Sequence, residues 1–183
     1  MVEDEIYTNQ IIDNQSTNAY KALIERYENR VFSLCLKIIK QREEAEEVAQ
    51  DIFLVSFKKI TELQDKNKFP NWLMKIAYSR AIGHIRKNQI VKTDINVVLE
   101  TYFVEEQTPV KQAILKNRAE IIKRAILLLD PVEASLITLY YIQDVSVKDI
   151  AEITELSLSN VKVKLHRARI SLKTIITSLL KMI

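Results

Sequence analysis

Tyr20, Leu23, Ile24, Tyr27, Val31, Leu34, Cys35 and Ile38 recur at intervals of three and four residues, the period of one helix face. Ser16 or Thr17 stands just ahead of this run and can cap it. The same period predicts a second helix from about Arg42 to Ile60, with Ala45, Val48, Ala49, Ile52 and Val55 turned inward. A third runs from Pro70 to about Lys87, because a proline's missing N–H is not needed in a first helical turn. From 88 to 108 the period is lost among β-branched and acidic residues, up to Pro109, which reads as a linker. Four more helices are predicted beyond it, over roughly 110–129, 131–143, 147–154 and 158–181. Asp130 precedes Pro131, and Ser146 with Asp149 forms a capping box. The expectation is an all-α chain of two small helical domains, 1–88 and 109–183, joined by a flexible linker over 89–108.

Composition narrows the class. The chain of 183 residues has one glycine, Gly83, and three prolines, as a helical protein would. Cys35 is alone, so no intramolecular disulfide can form and a reducing cytoplasm fits. The start, MVEDE, lacks the basic and apolar regions of a signal peptide. No apolar run approaches the ~20 residues of a membrane helix, so a soluble cytoplasmic protein without membrane insertion is expected. There is no glycine-rich phosphate loop, no His/Cys set at ligand spacing and no nucleophile–base or paired-carboxylate arrangement. No catalytic residue, metal, cofactor or small-molecule ligand is therefore expected. His166 lacks a second ligand on its face, and Cys35 lies on an apolar face as a core residue.

Charge changes the picture more. The net charge of +3 hides a partition. Lys66 to Lys92 holds seven bases and no acid, and Leu156 to Ile183 holds six and no acid. The remainder has fourteen bases against all twenty-four acids. Two basic segments on an acidic scaffold imply two contacts with a polyanion.

The second basic segment follows helix-turn-helix spacing: a short helix to Thr154, a break at Glu155–Leu156, then Ser157 as cap of a long helix. At 100° per residue, Val161, Leu165, Ala168 and Leu172 form an inward stripe. Ser159, Asn160, Lys162, Val163, His166, Arg167 and Lys173 lie opposite. Such a helix fits the ~12 Å major groove, although basic amphipathic helices also bind membranes and acidic proteins.

The first basic segment, KNKFPNWLMKIAYSRAIGHIRKN, aligns Trp72, Lys75, Ile76, Ser79, Gly83, Arg86 and Lys87 on one face. Leu73, Met74, Ala77, Ala81 and Ile85 lie on the other. A tryptophan in a basic stripe can stack an unpaired base beside phosphate contacts, or it can simply be core. In REEAEEVAQDIFLVSF (42–57), Glu43, Glu46, Glu47, Gln50 and Asp51 face outward together with Leu54 and Phe57. Acids with apolar residues beneath them suit a basic helix of another protein; alternatively Phe57 tucks under the loop that follows.

Three stretches carry a resemblance. Residues 129–175, with A-E-x-x-x-x-S (from Ala151) and V-K-x-x-L-H-R-A-R (from Val161), resemble region 4 of extracytoplasmic-function sigma factors. F-x-x-W-L-x-x-I-A from Phe69, followed by H-I-R-K, resembles regions 2.3 and 2.4 of the same family, and A-E-x-x-x-Q-[DE]-x-F-L from Ala45 resembles region 2.2. The resemblance implies an alternative sigma factor with core RNA polymerase, promoter DNA and an anti-sigma factor as partners. It implies −35 contacts at Lys162, Val163, Lys164, His166 and Arg167, with Ser159 and Asn160 beside them. It implies −10 strand contacts around Trp72, Lys75, Ser79, Gly83, Arg86 and Lys87, with base capture in the loop Glu62 to Lys68. It implies polymerase docking through Glu46, Glu47, Gln50, Asp51, Leu54 and Phe57. The chain departs from the family at Glu155, where Gly is usual, and at Asn160 and Val163, where Thr and Ser are usual. Ser79 and Gly83 replace Asn and Asp. Two other readings stay open: a helix-turn-helix regulator that works without polymerase, and a polymerase-binding adaptor with no DNA role.

Overall fold

The predicted stripe of residues 20–38 becomes a helix, here α2 (Thr17–Ile39), in a computed structural model that describes residues 2–89 and 118–181. Leu23, Val31, Leu34, Cys35 and Ile38 are buried along it. Ser16 is the cap, its hydroxyl accepting from the Ala19 N–H at 3.3 Å. Lys40 closes the helix in the left-handed conformation, its N–H donating to the Leu36 carbonyl at 2.9 Å.

A helix absent from the expectation precedes it. α1 (Val2–Asn14) packs on α2 through Asp4, Thr8 and Ile11. Those positions have helical spacing, but two of the three are polar, so no apolar period marks them. The Asp4 carboxylate compensates by receiving Arg26 Nη1 at 2.7 Å and the Tyr27 hydroxyl at 2.8 Å, both from α2.

α3 (Arg42–Lys59) and α4 (Phe69–Gln89) complete the first bundle, linked by short 3₁₀ turns at Ile60–Glu62 and Lys66–Lys68. Ala45, Val48, Ala49 and Ile52 of α3 are buried as expected, whereas Val55 is half-buried and Ser56 takes the inner place. The reason is polar: the Tyr20 hydroxyl of α2 meets Ser56 Oγ at 2.7 Å and also the Phe53 carbonyl. On α4, Leu73, Met74, Ala77 and Ala81 are buried, but Ile82 goes inward and Ile85 is only half-buried. The Tyr27 and Phe69 rings meet edge to face, 5.6 Å apart, and fix the start of α4 on α2.

Gln89, expected to open the linker, is the last residue of α4; the rest of the linker expected over 89–108 and the first part of the helix expected over 110–129 lie outside the described residues. The chain is described again from α5 (Arg118–Leu128), followed by α6 (Pro131–Ile137), α7 (Val147–Thr154) and α8 (Leu158–Lys181). Asp130 caps α6, accepting from the Val132 N–H at 2.9 Å. The single helix expected over 131–143 ends instead in a π turn, Thr138–Ile142, closed by the Gln143 N–H on the Thr138 carbonyl. Val161, Leu165 and Ala168 of α8 are buried, and Leu172 is half-buried.

The two bundles are not separate in space. α2 packs against α6 and the π turn, α4 packs along α7, and their buried side chains join in one apolar cluster. Among the described residues no helix is long and apolar enough to cross a membrane.

Asp4→Ala takes the carboxylate from two donors that α2 presents to α1. It is expected to destabilise the fold by about 2–4 kcal/mol, because buried charged groups lose their partner. Urea unfolding checks this; a loss below about 0.5 kcal/mol would show that α1 docks by its apolar contacts alone.

Candidate nucleic-acid interface

α8 begins without an acidic residue in its first turn, although acids there would favour the helix dipole. Exposed N–H groups and an acid-free start instead favour a bound anion. Ser157 caps the helix, accepting from the Asn160 N–H at 3.2 Å. Ser159, Asn160, Lys162, Val163, His166 and Arg167 are exposed on one side, and Lys164 is half-buried at its edge. Val163, 49% exposed, is an apolar residue held in water among charges, as a contact for a thymine methyl would be. Arg169, just beyond, is held off that surface: its Nε donates to the Tyr141 hydroxyl at 2.7 Å and its guanidinium lies over the Tyr140 and Tyr141 rings.

α7 supports this helix from behind. Ser146 Oγ accepts from the Asp149 N–H at 3.1 Å, one half of the expected capping box. The other half differs, since the Asp149 carboxylate takes the Ser146 hydroxyl at 2.6 Å and not its backbone N–H. The turn into α8 passes through Glu155 at φ 58°, ψ 23°, the left-handed region that glycine enters freely. A side chain there costs roughly 1–2 kcal/mol. The Glu155 carboxylate lies 2.9 Å from Lys75 Nζ of α4, and that lysine holds its pKa below the usual glutamate value.

The second basic face is on α4, again with no acid in the first turn. Lys75, Ser79, Gly83, Arg86 and Lys87 are exposed along it. Trp72 is half-buried, its ring 6.0 Å from that of Phe69, so it belongs partly to the core and partly to the face. A shallow groove of ≈ 290 Å³ runs beside Ser79, Gly83 and Lys87, with Asp51 and Arg80 on its wall. A Cβ built on Gly83 would meet nothing within 4 Å, so the glycine leaves open space where another backbone could come close.

The acidic face of α3 is divided. Glu46, Glu47 and Gln50 are exposed, and Leu54 is 63% exposed beside them. Asp51 is half-buried and paired with Arg80 of α4 at 2.9 Å, and Glu46 pairs with Arg42 at the same distance. Phe57, expected outward, is half-buried with its ring 4.7 Å from that of Tyr20. Glu44, absent from the expectation, receives His84 Nε2 at 2.6 Å and Asn88 Nδ2 at 3.3 Å, tying the start of α3 to the end of α4. Arg80 and Glu44 join residues of two helices whose spacing in sequence carries no mark of the pairing.

Residues 23–90 match the family model of sigma-70 region 2, and residues 119–172 match that of sigma-70, region 4. Among curated proteins the chain is 25% identical over 164 residues to the ECF RNA polymerase sigma factor SigW of Bacillus subtilis, covering 85% of this chain and 88% of SigW. It is 27% identical over 154 residues to the ECF RNA polymerase sigma factor SigM of the same organism, covering 84% and 92%. Among solved structures, the sigma factor RpoE of Bartonella quintana, in complex with the anti-sigma factor NepR, aligns at TM-score 0.66 and 17% identity. That alignment covers 86% of this chain and 96% of RpoE. CnrH, in complex with the cytosolic domain of CnrY, aligns at TM-score 0.65 and 18% identity over 96% and 98% of the two chains.

Two expectations follow from exposure. Gln50→Ala with Leu54→Ala should leave stability within about 1 kcal/mol, whereas Ile52→Ala, on the buried side of the same helix, should cost about 2–5 kcal/mol. Thermal unfolding of the purified variants distinguishes them. Gly83→Ala should stabilise the helix by about 0.5–1 kcal/mol, since the space is open and alanine is the better helix former. A fall in stability would place a backbone or side chain against that position.

Proposed function

The chain belongs to the extracytoplasmic-function group of the sigma-70 family, and from that premise we propose how its three faces divide the work of an alternative sigma factor. Such a factor directs transcription to chosen promoters. In this reading residues 1–88 dock on core RNA polymerase and hold the melted −10 strand, and residues 109–183 read the −35 duplex. The observation that carries it is the pair of acid-free, exposed basic faces on α4 and α8 of a chain otherwise rich in acids.

The two faces suit different forms of DNA. α8 offers a narrow helical ridge of Lys162, Val163, His166 and Arg167, whose width matches a major groove and whose bases meet phosphates and guanine edges. α4 offers a ring beside Lys75 and a small-residue stretch at Ser79 and Gly83, which suits a single strand with its bases unstacked. Polymerase docking falls to the outer side of α3, where Glu46, Glu47 and Gln50 surround the exposed Leu54. A basic helix carrying one apolar residue is the partner such a surface fits. Asp51 and Phe57 are held by Arg80 and Tyr20 and contribute less than the exposed four. A factor working with core polymerase and promoter DNA acts in the cytoplasm, and that is the location this reading assigns. An anti-sigma factor is the further partner, on the likeness in fold to RpoE, which is solved with NepR. The reading assigns the chain no reaction of its own.

The test uses core polymerase reconstituted with each variant on an intact promoter, selected from a run-off library, and on the same promoter with a premelted −10 bubble. Arg167→Ala should weaken binding to the upstream duplex and lower the slope of log affinity against log salt by about 0.9 if the lost contact is one phosphate. Trp72→Ala should spare upstream binding and reduce open-complex formation, by an amount corresponding to roughly 1–3 kcal/mol of lost stacking. Trp72→Phe, which keeps a ring, should recover most of it. Equal failure of the alanine variants on both templates would overturn the division of labour. Sequence-specific duplex binding without polymerase would favour an independent regulator, and polymerase binding without selective transcription an adaptor.

A further inference from the structure

One end of the basic face of α4 is already occupied in the free chain. Three carboxylates of the C-terminal bundle, at positions 149, 152 and 155, lie against it. Asp149 Oδ1 accepts from Asn71 Nδ2 at 2.8 Å. Glu152 lies 3.7 Å from Lys68 Nζ, and Glu155 lies 2.9 Å from Lys75 Nζ. Asn71 and Lys75 flank Trp72 in sequence, and Lys68 stands one turn before it. The far end of the same face, at Ser79, Gly83, Arg86 and Lys87, is exposed.

We propose that α7 with its cap, Glu155, is an internal ligand of the α4 face, its carboxylates standing where strand phosphates would otherwise sit. This rests on the reading of α4 as the strand-binding face. An unpaired strand and α7 then compete, and the helix-turn-helix bundle must move off α4 before the strand can be held. Glu155 is the most telling of the three. It occupies a left-handed turn position that a glycine would fill without strain, and its carboxylate reaches across to the other bundle.

Apolar side chains of the two bundles hold them together, and the polar groups of the same contact pull the other way. Gln143 Nε2 donates to the Arg30 carbonyl at 2.9 Å, yet Arg30 Nε, Gln143 Oε1 and Thr138 Oγ1 are buried without a partner. Lys37 is buried on α2 beside Lys123 and Glu120 of α5, and Lys40 donates to the Leu129 carbonyl at 2.7 Å. Burial lowers the pKa of both lysines, so each is better solvated once the bundles separate. Water would satisfy every one of these groups in an opened chain. The acid–base pairs themselves are exposed and weak, and salt screens them. Such a contact holds the free chain closed and yields to a partner that binds both bundles apart.

The experiment uses the full chain with Glu152→Gln and Glu155→Gly together. Glu155→Gly removes left-handed strain, so the melting temperature should not fall. Two quantities are read. The first is affinity of the free protein for a fluorescent, unstructured single-stranded DNA 12-mer at low salt. It should rise roughly 3- to 30-fold, since affinity scales with the fraction of open chain. The second is the distance between dyes on Lys58→Cys and Thr177→Cys, by energy transfer, with buried Cys35 left unlabelled. It should lengthen in the variant, and in the parent when salt is raised to about 1 M, where screening reaches ~3 Å. A distance unchanged by variant and salt, with unchanged affinity, overturns the internal ligand and leaves the strand reading standing. A longer distance with no gain in strand affinity overturns the strand-binding reading of α4. A gain in affinity at fixed distance overturns competition by movement and reduces the acids to local repulsion.

Discussion

The 23-residue helix α2 is buried along one face from Ala19 to Ile39, and it sets the place of each neighbour by what it offers them. It presents Arg26 and Tyr27 to the carboxylate of α1, the Tyr20 hydroxyl to α3, and the Tyr27 ring to the first residue of α4. To the second bundle it gives the Arg30 carbonyl, and Lys40 follows at its cap. Burying its aliphatic stripe supplies the driving force, about 25 cal/mol per Å² of apolar surface removed from water. The polar groups decide register, because each buried donor left unpaired would cost more than it gains when paired. With inner faces fixed this way, α3 and α4 can carry almost any residue outward. The acidic and basic faces are thus positioned by a core that they touch only through Phe57, Trp72 and Ile76.

Concentrating bases on two faces has an electrostatic consequence. The acids that balance them must lie elsewhere on the same small molecule, and many lie on α3 and α7. A chain made this way attracts itself unless its acidic surfaces are kept from its basic ones by geometry. On α3 they are partly kept apart, with Asp51 spent on Arg80, Glu44 on His84 and Asn88, and Glu43, Glu46 and Glu47 exposed. On α7 they are not, and the contact with Lys68, Asn71 and Lys75 results. The strength of exposed pairs, about 0–1 kcal/mol each, keeps that attraction reversible where a buried ion pair would not.

What could be read along the chain was whatever has a local period. The long helices, the caps at Ser16, Asp130 and Ser157, and the break before α8 all follow from spacing and residue type. α1 could not be read, because Asp4 and Thr8 occupy core positions that apolar residues usually mark. Ser56 takes an inner place beside Val55 because the neighbour that decides, the Tyr20 hydroxyl, lies in another helix, and Ile82 goes inward ahead of Ile85. The candidate faces were legible as charge and periodicity. What covers them was not, since Lys75 and Glu155 are eighty residues apart in sequence and no local pattern joins them. The carboxylate at 155 was visible only as a residue out of place in a turn.

Two residues break local rules along one face of α4, Gly83 at its open end and Glu155 against Lys75 at the other. Gly83 sits inside a helix, where alanine would be preferred by about 1 kcal/mol, with open space before it. Glu155 sits in a left-handed turn, where glycine would be preferred by a similar amount. Neither exchange would disturb the core, since both positions are exposed. Local preference and overall fold usually agree, and where they conflict without a packing reason the conflict marks a surface used for something else. On α4 the missing side chain makes room for a close approach, and on the turn the added one fills part of the same face with charge. A strand laid along the whole face would use the room at Gly83 and displace the charge at Lys75, so the two departures mark the two ends of one face.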